Sequence, residues 1–141
     1  MAKKFLPITM LFLLLSAISF AQSNPKPQIV GGDLDSHGCK GSAGYTYSVL
    51  KKDCIRLFEE KIQLRELNPS GTSTSSTPVV FSNDFKKAEI FLPKDSKSVI
   101  LIRSGKKGKY VWKKGLLLLE NNKGYILKKD SKIIFSEITN R

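Results

Sequence analysis

Short runs of hydrophobic residues alternate with polar positions along most of the chain, and turn-forming residues separate these runs. The runs are rich in β-branched and aromatic residues and have a period of two, which is typical of half-buried strands. No run keeps the spacing of an amphipathic helix. The pattern predicts ten strands, at residues 45–50, 54–58, 61–66, 78–81, 88–92, 99–103, 109–112, 116–120, 125–128 and 133–135.

The spacing of these strands predicts the fold class. Short strands that recur every eight to twelve residues or so, with turn residues between them, are typical of small antiparallel barrels and sandwiches. The stretch 68–78 is rich in Ser and Thr and has no apolar periodicity, which indicates a loop or linker. We therefore predict a mainly β protein, a small antiparallel β-barrel or sandwich at 79–141, preceded by a leader and disulfide-stapled module at 22–67.

The first 21 residues have the organisation of a secretory signal peptide. Lys3 and Lys4 precede an apolar run at 5–20, and Ser19 and Ala21 are the small residues that a signal peptidase requires. The run is shorter than a membrane span, and a polar break follows it at 22–27. These features predict cleavage after Ala21 and a mature chain 22–141 that is exported, soluble, and periplasmic or extracellular.

Export bears on the two cysteines of the chain. An oxidising compartment allows Cys39 and Cys54 to pair, and with two thiols only one connectivity exists. Their separation is not that of a Cys-x-x-Cys redox motif, so we interpret the pair as structural. Two cysteines and one histidine also leave little material for a metal centre, and we predict neither a metal site nor a cofactor.

Charge is distributed unevenly. Lys and Arg outnumber Asp and Glu by 24 to 12 in the whole chain. Residues 82–141 hold fifteen basic and six acidic residues, a net charge of +9. The densest cluster interleaves cations with two aromatic residues, Tyr110 and Trp112; its cations are Arg103, Lys106, Lys107, Lys109, Lys113 and Lys114. Such a cluster suits polyanions or sugars, although lysines on exposed strands and turns also discourage edge-to-edge pairing.

Three other groups of polar residues could carry chemistry, and each has a simpler interpretation. Asp33, Asp35 and His37 resemble the opening of a calcium loop, but the closing glutamate is missing, and a turn held by side-chain hydrogen bonds explains them. His37 has no recognisable catalytic partner. Glu59 and Glu60 are adjacent, so on a strand they would point to opposite faces and could not flank one glycosidic bond. We therefore predict no catalytic residues.

Two segments carry resemblances to known proteins. Residues 32–58, with a His-Gly-Cys run, a Ser-Ala-Gly-Tyr run and a second cysteine, resemble a short Cys-paired module of exported bacterial proteins of unknown activity. Residues 104–115 resemble the core motif of the bacterial periplasmic and membrane-bound inhibitors of c-type lysozyme. The matching positions are Ser104, Gly105 and Lys107 in a loop, then Tyr110, Trp112, Lys114 and Gly115 in the strand that follows.

The second resemblance implies a small antiparallel barrel with a Ser-Gly-Lys loop that enters the cleft of a lysozyme. We therefore expect a secreted, non-enzymatic binding protein. Ser104 would donate hydrogen bonds and Lys107 or Lys109 would meet acidic groups of the cleft. The alternative is an envelope protein that binds an acidic glycan or another polyanion through the same lysines.

Overall fold

The computed structural model describes residues 33–138, and within them the chain is mainly β. Ten strands follow one another in the order expected from the hydrophobic pattern. They are β1 (Tyr45–Ser48), β2 (Asp53–Arg56), β3 (Gln63–Glu66), β4 (Ser76–Phe81), β5 (Lys87–Ile90), β6 (Val99–Ser104), β7 (Val111–Lys114), β8 (Leu117–Asn121), β9 (Tyr125–Lys129) and β10 (Lys132–Glu137). The predicted signal peptide lies outside the described residues.

Strands β3 to β10 form a closed antiparallel barrel. Each strand pairs with its neighbours in sequence, and β10 pairs with β3 to complete the ring. Closure leaves no strand edge unpaired, so the barrel needs no edge protection. Of the two architectures predicted, barrel or sandwich, the structure is the barrel.

Alternate residues of the barrel strands point inward and make the core. Leu64, Ala88, Ile90, Leu101, Leu119 and Leu127 have no exposed surface, and Val79, Trp112 and Phe135 are nearly as well covered. This alternation follows from the period of two of a strand, which sends successive side chains to opposite faces. It explains why the sequence pattern was informative about strands.

The barrel begins earlier in the chain than residue 79, the predicted start of the basic β domain. Strand β3, within the stretch 22–67 assigned to the disulfide module, pairs with both β4 and β10. Its Leu64 is fully buried in the core. The first part of the Ser/Thr-rich stretch 68–78 is a loop that connects β3 to β4, whereas its last three residues, 76–78, form the start of β4 and pair with β3. The physical reason is closure, because β3 pairs with both β4 and β10 and so joins the two edges of the sheet.

The disulfide-stapled module precedes the barrel. Strands β1 and β2 form a hairpin, and Cys39 bonds to Cys54 on β2, as predicted. A short 3-10 helix, Leu57–Glu59, replaces the end of the predicted strand 54–58. The Gln63 side-chain amide donates to the carbonyl oxygens of Leu57 and Glu60, at 2.7 and 2.9 Å, and so holds this turn.

The module packs on the outer surface of β4 and β5. Ile55 of the hairpin contacts the outward-facing Val80 and Phe91, and together they form a second, smaller apolar cluster. Beside it, Glu89 of β5 is fully buried, and its carboxylate accepts hydrogen bonds from Ser48 Oγ and the backbone N–H groups of Val49 and Leu50. The hairpin is therefore attached by an apolar contact and by one buried carboxylate.

Antiparallel pairing places the connections alternately at the two ends of the barrel. Loops 82–86, 105–110 and 122–124 lie at one end, which we call the 105–110 end. Loops 67–75, 91–98, 115–116 and 130–131 lie at the other, the 130–131 end. No helix within residues 33–138 is long and apolar enough to cross a membrane.

Candidate partner-binding loop

The predicted binding loop connects β6 to β7 at the 105–110 end. Ser104 is the last residue of β6 and pairs with Val111, the first residue of β7. Between them the Lys109 N–H donates to the Lys106 carbonyl oxygen at 2.9 Å, which makes a tight turn at the tip. Both strands belong to the closed barrel, so the loop stands on a rigid base.

Gly105 shapes this loop. Its φ of +98° is a conformation that residues with a Cβ rarely adopt, and a Cβ built there would lie 2.5 Å from the Lys109 carbonyl oxygen. Gly108 also has a positive φ, +84°, but no heavy atom lies within 4 Å of its Cβ position. The two ends of the loop can therefore approach each other only because position 105 has no side chain.

The lysines of the loop are presented to solvent. Lys106, Lys107 and Lys109 are exposed, and none of them is in an ion pair within residues 33–138. The ion pairs found there lie elsewhere, for example between Lys128 and Glu120, whose Nζ and Oε1 are 2.5 Å apart. The loop therefore offers three uncompensated positive charges in one short segment.

Aromatic side chains close the barrel beneath the loop. Phe81 contacts Phe85, Trp112 and Tyr125, with ring centroids 4.8–5.3 Å apart. Trp112 Nε1 donates to the Phe85 carbonyl oxygen at 2.9 Å, which ties β7 to the 82–86 loop. Phe85 itself has a φ of +55° and is 51% exposed. Its ring therefore covers this end of the barrel and remains open to solvent.

A second set of contacts joins the 82–86 loop to the base of the binding loop. The Arg103 guanidinium lies 4.4 Å from the centroid of the Tyr110 ring and donates to the Asp84 carbonyl oxygen at 3.4 Å. The Lys86 N–H and the Ser82 hydroxyl hydrogen-bond to the Asp84 carboxylate and lower its pKa from 3.8 to about 2. Asp84 is thus ionised at any physiological pH and stabilises the loop against which Arg103 packs.

The predicted site residues do not all lie in one place in the structure. Ser104, Gly105, Lys107, Lys109 and Tyr110 lie together in the loop or at its base. Trp112 points into the barrel and is 5% exposed, so it holds β7 in place from inside. Lys114 is exposed at the far end of β7, at the 130–131 end. The sequence analysis did not single out Phe85 or Asp84, although the turn-forming run Ser82-Asn83-Asp84 directly before an aromatic residue was the available signal.

The other candidate groups have structural surroundings. The Asp33 carboxylate accepts the Ser42 N–H, which lowers the pKa of Asp33. The Asp35 carboxylate accepts the N–H groups of Cys39 and His37, both at 2.8 Å, and its pKa is lowered mainly by the Cys39 N–H. These contacts match the turn interpretation. Within residues 33–138 no group of three or more His, Cys, Asp or Glu side chains could hold a metal ion.

The imidazole of His37 stacks on a neighbouring ring. Its centroid lies 3.7 Å from that of Tyr47, and the two planes are 5° apart. No acidic or nucleophilic side chain completes a catalytic arrangement around it among the hydrogen bonds of the described residues. Glu59 and Glu60 each pair with a cation instead, Arg56 and Lys51 respectively.

Comparisons with known proteins found no relative of this chain. No family model, no curated protein and no solved structure matches the chain.

Proposed function

We propose that the chain is an exported, non-enzymatic binding protein whose 104–110 loop enters an acidic cleft of a partner protein. The observation that carries the proposal is the loop itself: a short, glycine-shaped turn on a closed barrel, bearing three exposed lysines without carboxylate partners in the described residues. A rigid loop loses little conformational entropy on docking, and unpaired cations favour a negatively charged cleft.

The cleft of a c-type lysozyme is the first candidate partner. It fits the proposed contact chemically, because a glycosidase cleft holds a pair of carboxylates. The resemblance of 104–115 to lysozyme inhibitors supports this choice, and the closed antiparallel barrel is compatible with it. In this arrangement Ser104 and Lys107 would reach the cleft, Lys109 would add positive charge at its rim, and Tyr110 would stack beneath the loop against Arg103.

The test is inhibition of a panel of c-type lysozymes by the mature chain. Ser104→Ala removes one hydroxyl from the base of the loop, and the loss of a buried hydrogen bond costs about 1–3 kcal/mol, which is about 5-fold to 150-fold in affinity. Ser96→Ala, an exposed serine of the 91–98 loop at the opposite end, is the matched control and should inhibit like the wild type. Equal inhibition by both variants would contradict loop insertion.

A second candidate function, binding of an acidic glycan or another polyanion, is favoured by one observation. Exposed lysines occur at both ends of the barrel as well as in the loop, for example Lys97 and Lys123. Polyanion binding depends on the number of cations in contact and weakens steeply with salt. Replacing Lys106, Lys107, Lys113 and Lys114 by glutamine should flatten the salt dependence of binding to heparin, whereas Ser104→Ala should leave it unchanged.

A further inference from the structure

The 130–131 end of the barrel contains a cavity, in contrast to the aromatic closure at the 105–110 end. The cavity has a volume of about 300 Å³. Leu92, Ile134 and Phe135 form the apolar part of its lining, and all three belong to or pack against the barrel core. Lys94 and Lys129 contribute cations to the lining, and Glu66 and Asp95 contribute carboxylates. Barrel mouths with an apolar lining and a few polar groups are common places for small ligands.

The register of the strands places further lysines at the 130–131 end of the barrel. Across β7, β8 and β9, Lys114 lies opposite Leu117, and Leu117 lies opposite Lys129. Lys129 in turn lies opposite Lys132 of β10. Directly opposed residues of antiparallel strands share a face, and Leu117 packs against the core. The three lysines therefore share the inward-facing side of their strands, and because all three are exposed they form a row at the rim of the barrel, which we call the lysine row.

A tight turn brings Lys129 and Lys132 of the lysine row together. Asp130 and Ser131 have φ values of +49° and +61°, the conformation of a two-residue hairpin turn that sets its flanking residues opposite each other. Like charges in directly opposed positions of a sheet destabilise it. The pairing of Lys129 with Lys132 thus opposes folding, unless an anion lies between them.

Acidic side chains also lie at this end, and two of them, Glu66 and Asp95, line the cavity, but none forms an ion pair with these lysines in the described residues. Asp95 and Asp130 are exposed, and the Glu66 carboxylate accepts the Ser75 N–H at 3.2 Å. None of Lys94, Lys114, Lys129 and Lys132 is in an ion pair within the described part of the chain. The opening therefore combines an apolar surface with lysines that are not in ion pairs, beside the two carboxylates of the lining.

We infer that this opening binds a small amphipathic anion. Its carboxylate or phosphate group would lie at the rim of the cavity, between Lys129, which lines it, and the neighbouring Lys132, which does not, with Lys94 at the side. Its apolar part would contact Leu92, Ile134 and Phe135. The cavity volume limits the apolar part to a short chain or a single ring. This site lies at the opposite end of the barrel from the 104–110 loop, so it does not depend on the proposed partner.

The test is calorimetric titration of the mature chain with octanoate, acetate and inorganic phosphate at one ionic strength. Octanoate should bind, whereas acetate has the same head group without the apolar part and should bind at least tenfold more weakly. Phosphate alone should bind as weakly as acetate. Equal binding of all three anions would overturn the role of the apolar lining, and binding of none would overturn the site.

The matched variants are Lys129→Gln with Lys132→Gln, and Lys107→Gln with Lys109→Gln. Both doubles remove two positive charges, but only the first removes them from the lysine row. The first should weaken octanoate binding at least tenfold, and the second should leave it within twofold. An equal loss in both would show that net charge alone attracts the ligand and would overturn the assignment.

Two further measurements separate the possible outcomes. Lys132→Gln alone should raise the melting temperature at low salt without ligand, because it relieves the repulsion from Lys129; an unchanged or lower temperature would contradict the opposed cations. Vesicles containing phosphatidylglycerol test a lipid head group as the source of the anion. Vesicle binding that depends on the lysine row, without octanoate binding, would overturn a free amphiphile as the ligand.

Discussion

Glu89 provides the most direct test of how the disulfide module is held on the barrel. Each oxygen of its carboxylate accepts one hydroxyl and one backbone N–H. Oε1 accepts the Val49 N–H at 2.9 Å and Ser98 Oγ at 2.5 Å, and Oε2 accepts Ser48 Oγ at 2.6 Å and the Leu50 N–H at 3.1 Å. The residue is fully buried, so water cannot replace these contacts.

The effect of Glu89→Gln can be worked out atom by atom. Whichever oxygen becomes the amide NH2, the serine hydroxyl beside it can rotate and accept a hydrogen bond. The backbone N–H beside it cannot, because it is only a donor. One backbone donor therefore loses its acceptor, which costs about 1–3 kcal/mol of unfolding free energy. Glu89→Ala removes every acceptor and leaves a cavity, and we expect a larger loss, about 3–5 kcal/mol.

Urea unfolding of the oxidised mature chain measures both losses, with the midpoint and the slope determined separately. Glu59→Gln is the control, since that side chain is 57% exposed and pairs only with Arg56, and a surface pair contributes about 0–1 kcal/mol. A loss for Glu89→Gln no larger than for Glu59→Gln, or a loss for Glu89→Ala below that for Glu89→Gln, would refute the hydrogen-bond accounting.

Three further predictions concern other parts of the chain. Hydrogen bonds lower the folded-state pKa of Asp84 from 3.8 to about 2, so the contribution of this carboxylate to stability is present above pH 3.8 and is lost as the pH falls toward 2. Asp84→Asn should therefore make the unfolding free energy less dependent on pH over that interval, as measured by urea unfolding at successive pH values. Gly105→Ala should destabilise the protein by at least about 1 kcal/mol more than Gly108→Ala in the same assay, because only the first adds a clash to an unfavourable φ, and equal losses would contradict the close approach. Replacing Cys39 and Cys54 together by serine should lower the unfolding free energy by about 3 kcal/mol, because the bond between residues 15 apart restricts the unfolded chain. A loss near zero would contradict this entropic contribution of the bond.

The strands and the disulfide could be predicted from the sequence because their causes are local. A period of two, bounded by turn residues, is sufficient to indicate a strand, and all ten predicted strands have a counterpart in the structure. With two cysteines the pairing of Cys39 with Cys54 has no competitor. The predicted strands 125–128 and 133–135 stopped short of Lys129 and Lys132, which the structure adds to β9 and β10 and places opposite each other.

Which face of each strand would be buried depended on tertiary structure. Glu89 lies in a Lys-Ala-Glu-Ile segment and has the alternation expected of a solvent-facing residue. It is buried because the β1–β2 hairpin packs on the outer surface of β5 and brings four donors to its carboxylate. Trp112 lies among lysines in the sequence, yet it points inward and leaves the cations outside.

Ring closure likewise depended on contacts that no local pattern encodes. Strand β3 follows the disulfide module directly in sequence, but its partners are β4 and the distant β10. Strand β7 carries Lys114 away from the 104–110 loop, and the register of β7 to β10 places it instead on the row with Lys129 and Lys132. The sequence by itself determined the strands, the turns and the covalent link, because these follow from neighbouring residues. The tertiary structure alone decided which charges meet, because it sets the register between strands and the order in which they close.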